Sequence, residues 1–258
     1  MFEIGHDQAA GLRAALLPPL GVRVVLVSSL SQPAQGYELL CTLAAHLTAR
    51  QEALVIVDGS SSEVSDRGPQ PDAHLGLLHA LQDPAIAGLE HAPQGSEWLV
   101  MPGARGLQAL AQTEQLAGPE VALSRLVAPF APGVCVLVFA PAQLLAAVFG
   151  GLGARALVPV PDQAQSTLDA YSALKWLHLG GVVPVLVPLP EHMGQSSVPM
   201  QKSVDTVVGC AQRHLGLVLE VWAQTSLAPR ALARALTPPA SRAVAARLAS
   251  EHSQRVWN

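Results

Sequence analysis

"VRVVLVSSLSQPAQGYELLCTLAAHL", residues 22–47, is the stretch on which the fold turns. A run of Val and Leu enters a polar loop. Leu39, Leu40, Leu43, Ala44 and Leu47 then follow at the spacing of one helix face. A strand, a loop and a helix in this order make the usual setting of a phosphate loop. Such a loop works through backbone N–H groups made accessible by glycines, a Lys on the β- and γ-oxygens and a Ser or Thr on Mg²⁺. Here Pro33 brings no N–H, Gly36 stands alone, and lysine occurs only at Lys175 and Lys202.

Outward from this stretch, short β-rich runs recur at 22–28, 53–57, 98–101, 134–139, 156–160 and 182–187, with a weaker one at 217–221. Helical patterns lie between most of them. "ELLCTLAAHLTAR" (38–50) is one. "STLDAYSALKWLHL" (166–179) is another, with a face through Leu168, Tyr171, Leu174 and Leu177 or Trp176. Apolar strands alternating with helices predict an α/β fold: a doubly wound, mostly parallel sheet with helices on both faces. Ligands of such sheets sit beyond the carboxyl ends of the strands. Polar stretches at 59–72 and 192–203 read as surface loops, and "TPP" (237–239) separates the main domain from a last helix over 241–256. The expected organisation is therefore residues 1–20, 21–237 and 238–258.

Composition excludes several classes. Of the 258 residues half are hydrophobic and 13% are charged, with a net charge of −4, which argues against disorder and against general nucleic-acid binding. Cys41, Cys135 and Cys210 are far apart and sit among apolar neighbours, so they read as reduced core residues. The first residues, "MFEIGHDQAAGLR", lack the basic start and apolar centre of a signal peptide, which predicts a cytoplasmic protein. The apolar stretch 134–160 is long enough to span a membrane. Pro141, Gly150, Gly151 and Arg155 instead divide it into strand, turn, helix, turn and strand.

At the strand ends, Asp58 is the one acid in the first half of the chain. Such an Asp can hold a metal or a water, or cap the following turn, and without a phosphate loop beside it the cap is the favoured reading. At the end of the fourth run stands Phe139, and a phenyl ring cannot ligate Mg²⁺. His74 and His79 are five residues apart and off a common helix face, so no metal is expected there. "GSSS" (59–62) lacks the G-x-S-x-G setting of a nucleophile.

Three segments carry a resemblance. "DQAAGLR" (7–13) is similar to an N-terminal DQAxxLR motif, "LDAYSALKWL" (168–177) to a "TDAYALIK" helix, and "CAQRHLGLVLEVWAQTSLAPRALARAL" (210–236) to a late conserved segment. The family so marked is the MinD/ParA class of deviant-Walker ATPases with a P-loop NTPase fold, and within it the FlhG (FleN, YlxH) group of flagellar-number regulators. Each site where the family touches nucleotide is altered in this chain. Ser31 stands at the signature Lys, Gly36 at the phosphate-loop Lys and Tyr37 at the Mg²⁺-binding Thr. Asp58 matches the first acid of "VDAD", Ser60 replaces the second, Phe139 replaces the Walker B Asp, and Pro188 replaces the Asn that reads adenine.

The resemblance implies a flagellar regulator acting by protein binding, a pseudo-ATPase with no cofactor unless the altered site still takes ATP and Mg²⁺. Its implied partners are an FlhF-like GTPase of the signal-recognition-particle type and flagellar assembly components. A homodimer, polar placement and weak or no membrane contact are further expectations. The partner-binding helix would present Asp7, Gln8, Ala9, Leu12, Arg13 and Leu16. Asp7 would cap it, Leu12 and Leu16 would anchor it, and Gln8 would orient the attacking water in the partner's site. Two alternatives stay open: an active but atypical ATPase, and a MinD/ParA-like scaffold for another positioning or secretion process.

Overall fold

The computed structural model describes residues 21–31, 33–61, 76–89, 98–162, 166–189 and 198–238. The N-terminal segment 1–20, with all six partner-binding residues expected there, the C-terminal helix expected at 241–256, and His74 lie outside the described residues.

Among the described residues seven strands form one sheet: β1 (Arg23–Ser29), β2 (Leu54–Asp58), β3 (Leu99–Pro102), β4 (Cys135–Pro141), β5 (Arg155–Pro161), β6 (Val183–Leu189) and β7 (Glu220–Val221). Their order is β3-β2-β4-β1-β5-β6-β7, and every pairing is parallel. The chain builds outward from β1 to β2 and β3, returns to insert β4 beside β1, then crosses to β5 on the other side. The carboxyl ends of β1 and β4 thus lie at the topological switch point, where open α/β sheets leave a crevice. The expected α/β architecture is the one observed.

Two apolar clusters cover the two faces. One face packs on α1 (Pro33–Thr48) and α8 (Leu227–Ala233), through Leu39, Leu43, Leu47, Leu227 and Ala231. The other packs on α2 (Leu77–Gln82), α3 (Ala104–Ala117), α4 (Pro119–Val127), α5 (Ala142–Phe149), α6 (Ser166–Leu179) and α7 (Val198–Leu215). Successive strand residues alternate between the faces: in β4, Val136, Val138 and Ala140 join the second cluster, and Cys135, Leu137 and Phe139 the first. Both faces are covered, which is why the strands read as continuous apolar runs.

Some expectations need correction. α1 begins at Pro33, five residues before the periodic pattern, because Pro is well accommodated in a first helical turn. The loop expected over 192–203 is already helix from Val198, where Met200, Val204, Val207 and Ala211 form a buried face. On α6 the buried face is Ala170, Ala173, Leu174 and Leu177, whereas Leu168 is 64% and Trp176 46% exposed. Small alanines allow the helix to approach the sheet closely, and a reading weighted toward large side chains misses them. Among the cysteines only Cys135 is fully buried; Cys41 is exposed on α1 and Cys210 is intermediate. The 134–160 stretch is β4, α5 and β5, and no helix among the described residues is long and apolar enough to cross a membrane.

Candidate functional site

The site forms where α1 meets the ends of β2 and β4. In register, Phe139 lies beside Val27 on one flank and Asp58 on the other. Phe139 packs in the cluster on the α1 face, and its ring is fully buried. Gly36 and Tyr37, in the first turns of α1, close over this pair.

Gly36 is there because of the ring. A Cβ at this position would stand 2.8 Å from Phe139 Cε2 and 2.9 Å from Cζ, well inside van der Waals contact. Tyr37 lies against the same ring, centroid to centroid 4.8 Å at 36°, a tilted aromatic pair worth about 1 kcal/mol beyond its buried area. Between them, Gly36 and Tyr37 seat α1 directly on Phe139.

The Tyr37 hydroxyl reaches Asp58, donating to Oδ2 at 2.5 Å, and lies 2.9 Å from Ser60 Oγ. Ser61 Oγ donates to the same Oδ2 at 2.5 Å. Asp58 Oδ1 accepts from the Ser60 N–H at 2.9 Å and from Ser60 Oγ at 2.6 Å. The N–H contact makes an Asx turn, so Asp58 caps the chain leaving β2. The backbone is tied as well: Gly59 N–H donates to the Phe139 carbonyl at 2.6 Å, and Gly103 N–H to the Asp58 carbonyl at 2.8 Å.

An ionised carboxylate offers about four lone-pair positions, and all four at Asp58 have protein donors. Asp58 is 5% exposed. Burial by itself raises its pKa; the hydrogen bonds from Ser60, Ser61 and Tyr37 outweigh burial and hold the carboxyl below its ordinary value. Tyr37 is shifted the other way, raised by burial and by the neighbouring carboxylate.

ATP with Mg²⁺, the group that the resemblance implies, does not fit these residues. A metal at Asp58 would have to displace Tyr37 or a serine from an acid that is already satisfied. Phe139 offers no ligand in place of an acid, and its ring fills the space in front of Gly36. Among the described residues no group of three His, Cys, Asp or Glu could hold a metal ion. His79 is exposed and faces Asp83 at 4.0 Å.

Beside this knot lies a cleft of about 430 Å³ at the carboxyl ends of β1, β2 and β4, walled on one side by α6. Ser31 and Ser60 line it. The Ser31 hydroxyl donates to the Asp169 carboxylate, fastening the loop after β1 to α6. The structure therefore brings Gly36, Tyr37, Asp58, Ser60 and Phe139 into one knot and places Ser31 in the adjoining cleft. Pro188 stands apart on β6, beyond β5, paired in register with Val160, and does not line the cleft.

Sequence reasoning did not assign Ser61, Gln143, Asp169 or Trp176 to the site. For Ser61 a signal existed: "GSSS" directly after a strand-end Asp is a run of hydroxyl donors waiting for an acceptor. The other three reach the site through the β4–α5 and β5–α6 crossovers, which no local pattern marks.

No family model matches the chain, and no curated protein matches it. Among solved structures, the chain is similar to a McdA–ATP complex from Cyanothece, at 13% identity and a TM-score of 0.49 over 83% of this chain and 89% of that one. It is also similar to a chain of the MinC:MinD cell division protein complex of Aquifex aeolicus, at 14% identity and a TM-score of 0.46 over 90% and 96% of the two chains. A ParA family ATPase from Chlorobium tepidum aligns at 13% identity and a TM-score of 0.45 over 80% and 83%. The architecture described above stands on its own strand order and register, independently of these likenesses.

Proposed function

We propose that this chain is a MinD/ParA-like scaffold whose nucleotide site is sealed by its own side chains, and that it regulates flagellar number or assembly by binding other proteins, as an FlhG-like factor. The observation that carries the sealed site is the saturated Asp58 carboxylate under Tyr37, with the Phe139 ring beside it. Strand and helix patterns persist around these positions while Ser31, Gly36, Tyr37, Ser60, Phe139 and Pro188 replace the family's residues and Asp58 alone is kept, which supports loss of ATP binding rather than general decay of the fold.

The flagellar part of the reading is supported by "DQAAGLR" (7–13). A segment of this length is too short to be stable as an isolated helix and would fold on its partner. That partner is an FlhF-like GTPase of the signal-recognition-particle type, with Gln8 orienting the attacking water and Leu12 and Leu16 as anchors. The test is GTP hydrolysis by the purified GTPase in the presence of the full chain, of a chain lacking residues 1–20, and of Gln8→Ala. Stimulation by the full chain, lost on truncation and lowered at least about tenfold by Gln8→Ala, is expected. A full chain that leaves the hydrolysis rate unchanged refutes the flagellar reading.

A further inference from the structure

We propose that the cleft between the carboxyl ends of the strands and α6 binds an organic cation, a guanidinium or ammonium group, in place of the phosphate its position suggests. The proposal rests on the sealed-site reading above, since a nucleotide held at the switch point would compete for the same crevice.

The cleft has the volume of a small-ligand site, about 430 Å³. Its two walls differ. From the strand ends come the serines already described, the nearly buried Ser29, and the Gln143 amide at the start of α5. From α6 come Asp169, Ser172, Ala173 and Trp176, one helix face at spacings of three and four residues. The polar side chains are neutral apart from one carboxylate, and no Lys or Arg is among the described residues that line the cleft. A phosphate would find no positive charge here and would meet a negative one.

Asp169 and Trp176 make the preference specific. Asp169 is held in place by Ser31, and among the described residues it has no basic partner within ion-pair distance. Trp176 lines the same wall two helical turns on and is 46% exposed, an unusual position for so large an apolar ring. The carboxylate and the half-exposed indole line one polar cleft, seven residues and about 10 Å apart along the helix, so that an extended organic cation can reach both. The acid supplies a charge-assisted hydrogen bond, and the indole supplies cation–π attraction. Serine and glutamine oxygens can accept the remaining N–H groups.

The test is calorimetric titration of the full chain with two probes that carry a guanidinium: agmatine, where it is free, and a Gly/Ser peptide with a single arginine, where it is borne on a polypeptide. Saturable binding of either is expected, and which probe saturates identifies the source. Asp169→Asn should weaken it about tenfold and Trp176→Ala roughly threefold. Both variants should remain folded, read from their melts, since Asp169→Asn keeps an acceptor for Ser31 and Trp176 is half exposed in the wild type. Inorganic phosphate should give no heat. No saturation at millimolar concentrations of either probe, or binding that Asp169→Asn leaves unchanged, overturns the proposal. ATP·Mg²⁺ titrated in parallel separates the two claims. Its binding would overturn the sealed-site reading beneath this one, whereas silence from ATP and from both cations would overturn the cation site alone.

Discussion

Removing the Tyr37 hydroxyl leaves Asp58 with three donors in place of four. Tyr37→Phe keeps the ring on Phe139, so the loss isolates one charge-assisted hydrogen bond, and chemical denaturation should show about 1–2 kcal/mol. The Asp58 carboxyl is held below its ordinary pKa, so its contribution to stability is fully present above about pH 4 and is lost as pH falls through the folded value. The stability gap between wild type and Asp58→Asn should therefore narrow between pH 6 and pH 3; a constant gap would mean that the hydrogen bonds do not favour the charged form. Placing an acid at this position with Phe139→Asp should not create a metal site. It removes a fully buried ring and sets a second carboxylate beside Asp58, so a loss of at least about 3 kcal/mol is expected, read from thermal or urea melts. The thiols differ in the same environment-dependent way. Burial pushes the Cys135 thiol up to about 12, while Cys41 is exposed on α1. Maleimide labelling of the native protein, read by mass spectrometry, should modify Cys41 and spare Cys135 until the chain unfolds.

At the scale of elements, α6 separates what periodicity can and cannot reveal. Its span, Ser166–Leu179, coincides with the predicted helix, because a 14-residue pattern bounded by Gly180 and Gly181 leaves little room for another reading. Its orientation was only half legible. Leu174 and Leu177 face the core as expected, but Leu168 and Trp176 do not, and Ala170 and Ala173 take their place. Leu174→Ala should then cost about 2–5 kcal/mol, while Leu168→Ala should stay within about 0.5 kcal/mol of wild type; equal losses would mean that the helix is rotated. α1 teaches the complementary lesson. Leu39, Leu40, Leu43, Ala44 and Leu47 are all buried as the pattern predicted, yet the helix starts at Pro33. Its first turns are set by contacts with Phe139 and Asp58, which lie about a hundred and about twenty residues downstream, and no local signal carries them.

For the whole molecule, apolar strands separated by helices were enough to predict a parallel sheet covered on both faces. The order of the strands was not legible, since crossovers leave no mark on composition. That order brings Tyr37, Asp58 and Phe139 together at the switch point, and their knot is therefore a property of the fold rather than of any one motif. With Asp58 saturated and no cation among the described residues that line the cleft, ATP·Mg²⁺ has neither a metal ligand nor a phosphate partner here, and isothermal titration of the purified full chain with ATP·Mg²⁺ tests this. No saturable heat is expected, and none for Tyr37→Phe either. Saturable binding of ATP·Mg²⁺ at micromolar concentrations by the wild-type protein would contradict it.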